Sequence, residues 1–431
     1  MTGVHLHPEV PPASPRVRKT VLSVLIPLIL LTIGGLAFLW PSGEKPSIEA
    51  GVRTDAQITA IGPCEGVEGA PSDGDGAPPD GDGQGGQGGQ GSSECQEADV
   101  LIESGPDEGM ETVVPLWFGD GAPEFSVGDK VVLTGMQDQP LETRYEVTDF
   151  QRGMPLLWLG AVFAVAVVLL SRWKGLAALG GLAISVLVIV FFLLPALLSG
   201  QDPLPVAVVG ASAIMIVTLY MSHGVSIRTS VALIGTLISL TLTGVLGALF
   251  TTLGQFTGLV DHAAAYIGTV DADINVRGLL LAGLVVGALG VLDDTTVTQT
   301  ATVWELAAAD PTSSRRKLFS AGMRIGREHV AATVNTLVLA YVGASLPLLM
   351  LFSVAGLGVG DALTTEAVAQ EVVRGLVGSL GIIAAVPVAT GLAVLAVRQG
   401  QPSGGRRRRR TGTDGGERAA ARTGSVDSLG G

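Results

Sequence analysis

Long runs of apolar residues without charge are the dominant pattern in this chain of 431 residues. Runs of about 17 to 25 apolar residues can cross a hydrocarbon core of roughly 30 Å as helices. These runs also lack the alternation of apolar and polar positions that a membrane β-barrel requires, so each run predicts a helix. Eight segments qualify, namely 21–40, 155–171, 176–198, 204–221, 229–253, a sixth that begins at 278, 330–353 and 375–397.

The polar segment 41–153 has a different pattern, typical of short β-strands. Five stretches there are rich in β-branched and aromatic residues and are bounded by Gly, Pro or Asp. They are 52–62, 98–104, 110–118, 129–135 and 143–150. We therefore predict an all-α polytopic membrane bundle of about eight transmembrane helices. A small extracytoplasmic all-β domain, a barrel or an OB-like fold, lies between helices 1 and 2.

These patterns divide the chain into five parts. A cytoplasmic tail is followed by a first transmembrane helix, the β-rich domain, a seven-helix membrane domain and a basic, disordered cytoplasmic tail. Helix 1 reads as an anchor rather than a cleavable signal peptide, because its apolar core is long and no A-x-A site follows it. The boundaries are 1–20, 21–40, 41–153, 154–398 and 399–431.

The composition predicts a membrane protein, and the distribution of charge predicts how the chain is oriented in the membrane. Hydrophobic residues make up 47% of the chain and charged residues only 15%, as expected of a polytopic membrane protein. Lys and Arg occur in every second connection, which predicts a plasma (inner) membrane protein with both termini cytoplasmic. The segment 41–153 holds 23 of the 39 Asp and Glu residues but only 5 of the 26 Lys and Arg residues. This acidic surface argues against a nucleic-acid partner.

A Gly/Asp-rich stretch, 65–94, interrupts the β-rich domain and is predicted to be a disordered loop. Cys64 and Cys95 are the only cysteines and flank this loop on the oxidising side, where a disulfide is the expected fate of the pair. Repeated Asp-Gly pairs resemble calcium loops, but the bidentate Glu of an EF-hand is missing. Calcium binding and a plain linker both stay open, and the metal content is unknown.

The chemistry-bearing stretch is GVLDDTTVTQT, in which Asp293 and Asp294 follow directly after an apolar run. Ionisable groups within a membrane usually mark ion or proton pathways. On a continuous helix Asp294 and Glu305 are eleven residues apart, about three turns, and so share a face with Thr298. Threonine hydroxyls and Gln299 would add oxygen ligands for a cation.

Asp293 lies about 100° around the same helix from Asp294, towards the interface in this interpretation. Small residues at Gly283, Gly287 and Gly290 would let a neighbouring helix approach closely. The alternative is that the helix ends near 292 and that one aspartate caps a cytoplasmic helix.

The pattern of Gly287, Gly290, Asp294 and Glu305, followed by Asp310 and Pro311, resembles the signature region of YibE/F-like bacterial membrane proteins. The resemblance implies one N-terminal helix, a β-rich external domain and seven further helices. It also implies that Asp294 takes the position of the family's intramembrane aspartate. This chain departs from the pattern in its Gly/Asp loop with two cysteines, the additional Asp293, threonines in place of serines and the basic tail.

Two classes of function follow from these residues. The first is a transporter or permease component in the lipid bilayer, with an intramembrane acidic site for a proton or a cation. The second is a non-transporting scaffold that presents the β-domain to an envelope protein partner. We do not expect an enzyme or a cofactor, because HExxH, P-loop and GxSxG motifs are missing and the five histidines are scattered.

Overall fold

The structure is a computed structural model that describes residues 14–41, 51–64, 96–116, 122–136, 138–260, 266 and 275–397. It consists mostly of helices, with a separate curled sheet placed in the sequence between the first helix and the others. The predicted loop 65–94 and most of the two predicted tails lie outside the described residues.

The sheet contains five antiparallel strands in the order β3-β2-β1-β4-β5. Its edge strands β3 and β5 approach each other, so the sheet curls around a core that includes Ile58, Val100, Val114 and Leu133. Alternate positions along the strands are buried, as the sequence pattern predicted. The β-domain is therefore confirmed as a curled sheet, whereas its closure into a barrel stays a prediction. The strands are β1 Val52–Pro63, β2 Gln96–Ile102, β3 Glu111–Leu116, β4 Lys130–Gly135 and β5 Tyr145–Phe150.

The helices of the described chain cover nearly all of each apolar segment that the sequence singled out. A π-helical turn, Ile189–Leu193, links α3 to α4. The helices are α1 Pro15–Phe38, α2 Leu141–Arg144, α3 Gly153–Val188, α4 Leu194–Leu198, α5 Pro203–His223, α6 Ile227–Leu253, α7 Val276–Ala309, α8 Arg315–Ala344, α9 Leu346–Val354, α10 Val359–Thr364 and α11 Glu366–Ala396.

Six helices of the described residues are long and apolar enough to span a membrane, or up to seven if the bent pair α8 and α9 forms one span. One of the six runs from Gly153 to Leu198 and contains both predicted helices two and three. The predicted break between them is a single residue, Arg172, with φ 52° and ψ −130°. A Cβ at Gly175 would lie 2.5 Å from the Val167 carbonyl oxygen, so the backbone bends sharply there. The count of eight crossings stays a prediction.

Two helices begin well before the apolar segments that the sequence singled out. Helix α8 begins at Arg315 rather than at 330, and α11 begins at Glu366 rather than at 375. The side chain of Ser314 accepts a hydrogen bond from Lys317 N and so caps α8 before its polar first turns. An apolar run marks only the part of a helix that suits lipid, and these two helices continue beyond that part.

The bundle core forms where α6, α7 and α11 pack together. Helices α6 and α7 are antiparallel. Arg228 Nη1 lies 3.6 Å from Glu305 Oε1 at one end. At the other end the Arg277 guanidinium donates to the Thr251 carbonyl at 3.0 Å.

Basic residues from distant parts of the chain gather at the end of the bundle marked by Arg228. Lys174 and Arg228 line the same cavity. Arg16 lines a groove together with Leu395, close to the end of α11. This common end agrees with the alternation of helices inferred from charge, while its assignment to the cytoplasm stays a prediction.

Candidate functional site

Asp293 lies roughly midway along the 34-residue helix α7 and faces other helices of the bundle. It lines a cleft of about 350 Å³ between the second half of α3, α5 and α7, which we call the Asp293 cleft. Its Oδ1 atom is buried and has no hydrogen-bond partner within the described part of the chain. The polar residues lining this cleft are Ser185, Thr218, Ser222 and Asp293.

Gly290 also lines the Asp293 cleft, one turn before the aspartate. A Cβ built at Gly290 would meet no atom within 4 Å, so the missing side chain leaves open space beside the carboxyl group. This arrangement gives the Asp293 cleft room for water or a small ion, which a buried carboxylate needs unless it is paired.

Asp294 occupies a different face of α7. Its side chain is 69% exposed, and its Oδ2 atom lies 4.0 Å from Nε2 of His329 on α8. That histidine nitrogen is itself buried and makes no hydrogen bond to any residue that the structure describes. At 4.0 Å the two groups are close but not hydrogen-bonded.

Glu305 and Thr298 are exposed together with Asp294, so the predicted shared face exists. The three side chains are not brought into one site, however. Glu305 lies at the basic end of the bundle, where it pairs with Arg228, and its side chain is 69% exposed.

Gln299 serves helix packing in this structure. It is only 3% exposed, and its Nε2 group donates to the Gly322 carbonyl at 2.8 Å and to Thr390 Oγ1 at 2.7 Å. These bonds join α7 to α8 and α11. The amide group is therefore committed to helix contacts and lies away from the Asp293 cleft.

The interpretation in which α7 ends near 292 was wrong. The helix continues from Val276 to Ala309 through both aspartates, so neither one caps a new helix. The residue that follows α7 is Asp310, which accepts hydrogen bonds from Ser313 Oγ and Thr312 Oγ1 and pairs with Lys317 Nζ at 3.2 Å. These contacts hold the pKa of Asp310 below its usual value, with Ser313 the largest cause.

Among the residues that the structure describes, the three glycines predicted to pack helices have few close neighbours, so their packing role stays a prediction. A Cβ at Gly283 would meet nothing within 4 Å, and a Cβ at Gly287 would meet only the Tyr341 hydroxyl at 3.4 Å. Close contacts occur at other glycines instead. A Cβ at Gly326 would lie 2.5 Å from Val386, and one at Gly381 would lie 2.2 Å from Thr243 Oγ1.

Most threonines of the stretch are part of the helix-contact surface. Thr295 and Thr296 are fully buried, and each hydroxyl donates to a carbonyl of its own helix, as small polar residues in membrane helices do. The Thr296 hydroxyl also hydrogen-bonds the Thr236 hydroxyl of α6. Thr300 is buried as well, and its hydroxyl has no partner among the residues described.

Sequence reasoning missed a second cavity, of about 670 Å³, at the basic end of the bundle. We call it the basic cavity, because Lys174, His223 and Arg228 line it. Ser222 lines both cavities, so the basic cavity and the Asp293 cleft are neighbours along α5. The only available signal was that three basic residues begin or end predicted helices, which is also the ordinary signal of topology.

In the β-domain, Cys64 is disulfide-bonded. Cys95 lies outside the described residues, so the pairing of the two stays a prediction. Among the residues that the structure describes, no group of three or more His, Cys, Asp or Glu residues is placed to hold a metal ion. The Asp-Gly pairs of the predicted loop lie outside the described residues.

In the β-domain, the carboxylate of Asp107 joins the turn after β2 to the start of β5. The Tyr145 hydroxyl donates to Asp107 Oδ2 at 2.7 Å, and the Arg144 guanidinium donates to the same oxygen at 2.6 Å. The hydrogen bond from Tyr145, and then that from Arg144, lowers the pKa of Asp107. This network fixes the turn after β2 against the start of β5.

A comparison with protein families matches residues 159–399 to the family model described as YibE/F-like protein. The match covers more than half of the 431 residues and includes all helices from α5 onwards. Comparisons with curated proteins and with solved structures gave no match.

Proposed function

Because the chain belongs to the YibE/F-like family and its long apolar helices are those of a membrane-embedded protein, we propose that it is a transporter or permease component in which Asp293 binds a proton or a small cation. One observation carries this proposal. Asp293 has a buried carboxyl oxygen without a hydrogen-bond partner in the described chain, and the residue lines a cleft inside the bundle. An isolated carboxylate in such surroundings is costly unless it binds a proton or a cation.

The choice of Asp293 over Asp294 reverses the order expected from the sequence. Asp294 projects from the outer face of α7 and approaches His329, whereas Asp293 shares its cleft with the side chains of Ser185, Thr218 and Ser222. Oxygen ligands of this kind suit a hard cation or a hydrated proton. Asp294 and His329 remain the secondary candidate.

The basic end of the bundle faces the cytoplasm in this proposal. Arg16, Lys174 and Arg228 lie together there, and Lys and Arg are retained on the cytoplasmic side of a plasma membrane. Both chain termini would then be cytoplasmic and the β-domain external.

The test is electrical and uses the purified full-length protein in liposomes adsorbed on a solid-supported membrane. Jumps in pH, Na⁺, K⁺ or Mg²⁺ should displace charge in the wild-type protein. Asp293→Asn keeps the side-chain size and removes the titratable group, so it should abolish the signal. Asp294→Asn is the matched control and should retain most of it.

Three outcomes contradict this assignment. A wild-type signal in Asp293→Asn would exclude Asp293 as the site. Loss of the signal in Asp294→Asn alone would favour the exposed aspartate and its His329 neighbour. If none of the four jumps displaces charge in the wild-type protein, the support for an ion site is removed.

The second candidate is a non-transporting scaffold that presents the β-domain to an envelope protein. The observation that favours it is the hydrophobic core within the curled sheet, which gives this domain a structure separate from the bundle. Solute and metal profiles of cells with and without the protein separate the two functions. An unchanged profile together with a co-purified envelope protein would favour the scaffold. We propose no catalytic activity.

A further inference from the structure

We propose that the basic cavity binds a phosphate-class oxyanion, either as a soluble phosphate compound or as the phosphate headgroup of a lipid. This inference goes beyond the proposed ion site and does not depend on it. It rests on the charges, the open hydrogen-bond donors and the size of the basic cavity.

The charge lining the basic cavity is positive and locally unbalanced. The positive charge comes from Lys174 and Arg228, His223 adds a ring N–H donor, and no Asp or Glu is among the lining residues. Lys174 has no carboxylate within salt-bridge distance in the described chain, since none of the ion pairs there includes it. A concave surface with charges of one sign concentrates ligands of the opposite sign.

Arg228 remains available to a ligand although it has a partner. Its distance to Glu305 is 3.6 Å, and the two side chains are 42% and 69% exposed. Exposed pairs of this kind contribute little, because water and salt screen the two charges. A phosphate group that accepts two parallel hydrogen bonds from the guanidinium would compete well with this contact.

Hydrogen-bond donors without partners surround the cations. The Ser171 and Ser222 hydroxyls line the basic cavity and make no hydrogen bond with another residue of the described chain. The Ser226 hydroxyl is engaged within its own turn: it accepts a hydrogen bond from Thr229 N at 3.1 Å, which caps α6, and it hydrogen-bonds the Thr229 hydroxyl at 2.9 Å. This cap holds the amino end of the 27-residue helix α6 in the cavity wall, where the helix dipole adds to the attraction for an anion.

The size of the basic cavity indicates a ligand larger than a bare phosphate ion. About 670 Å³ falls within the roughly 300 to 1,000 Å³ of typical small-molecule sites. Apolar side chains also line the basic cavity, among them Val167, Leu219 and Val297. A phosphate ester with an apolar or uncharged substituent would satisfy both parts of the cavity.

The test is a calorimetric titration of the purified full-length protein in an uncharged detergent. One arm uses sodium phosphate and the other uses short-chain phosphatidic acid, each against sodium chloride at matched ionic strength. Lys174→Gln should weaken binding roughly tenfold or more, because it removes a charge-assisted hydrogen bond. Lys317→Gln, which removes a lysine that pairs with Asp310 outside the basic cavity, is the matched control and should bind as the wild-type protein does.

A third variant should change the affinity for phosphate in the opposite direction. Glu305→Gln removes the carboxylate that competes for Arg228 and should tighten phosphate binding, a gain that misfolding cannot produce. Elution volume and thermal midpoint check the fold of each variant.

Binding in the phosphate arm points to a soluble ligand, and binding in the phosphatidic acid arm alone points to a lipid headgroup. Failure of both arms, equal heats with chloride, or equal binding by Lys174→Gln and Lys317→Gln would overturn the proposal. None of these results bears on the charge displacement expected of Asp293, so the two proposals fail separately.

Discussion

Replacing Gly381 by alanine perturbs a close contact between helices in the bundle core. Gly381 lies on α11, and a Cβ there would be 2.2 Å from Thr243 Oγ1 of α6 and 3.5 Å from a methyl group of Leu292 of α7. Ordinary contact needs more than an additional ångström, so α6 and α11 must separate or Thr243 must leave its position. The Thr243 hydroxyl donates to the Ser239 carbonyl at 2.8 Å, which opposes its rotation.

Overpacking of this kind costs about 1 to 3 kcal/mol in well-packed cores. The matched control is Gly235→Ala at the same pair of helices, where a Cβ would meet Ala389 at an ordinary 3.7 Å. Because alanine is also the better helix former, the control should be neutral or stabilising. The double variant Gly381→Ala with Thr243→Ala removes the clashing oxygen and should recover much of the lost stability.

The assay is unfolding of the purified full-length protein in mixed micelles with increasing SDS, followed by tryptophan fluorescence. Gly381→Ala should unfold at a lower SDS fraction than both the wild-type protein and Gly235→Ala. Equal stability of Gly381→Ala and the control would refute the predicted clash. A double variant that recovers no stability would show that contact with Thr243 is not the cause.

Two further predictions concern the β-domain and the topology. Asp107→Asn should destabilise the β-domain at pH 7. The difference from wild type, measured by hydrogen exchange of the full chain, should begin to shrink near pH 4, the ordinary pKa of Asp, and vanish as the pH falls through the lowered pKa of Asp107, because this carboxylate stabilises only while ionised. A constant difference would contradict this. Reporter fusions after Pro203 should read external and those after Gln399 cytoplasmic, and the reverse readings would invert the proposed orientation.

Several elements followed from the sequence because their signals are local. The apolar runs located α5, α6 and α7 to within a few residues, since suitability for lipid is a property of each segment alone. The five strands of the β-domain followed from β-branched stretches and their bounding Gly, Pro and Asp residues. The family was also identifiable, because its glycines and acidic residues lie within one stretch of chain.

Only the tertiary structure decided what each polar residue of α7 faces. Asp293 and Asp294 are adjacent, and a rotation of about 100° separates a cleft between helices from an exposed surface. Which one turns inward depends on where α3 and α5 pack, and helix periodicity carries no information about that. Gln299 likewise owes its buried position to Thr390, which lies 91 residues away in the chain.

The basic cavity also could not be predicted from the sequence. Lys174, His223 and Arg228 come from three different helices, and in the sequence each looks like an ordinary charge at a helix end. Sequence alone determined that the chain builds apolar helices and a β-domain, because hydrophobicity and strand propensity act within short segments. The packing of those helices decided which side chains meet, because contacts between distant segments depend on the shapes of both surfaces.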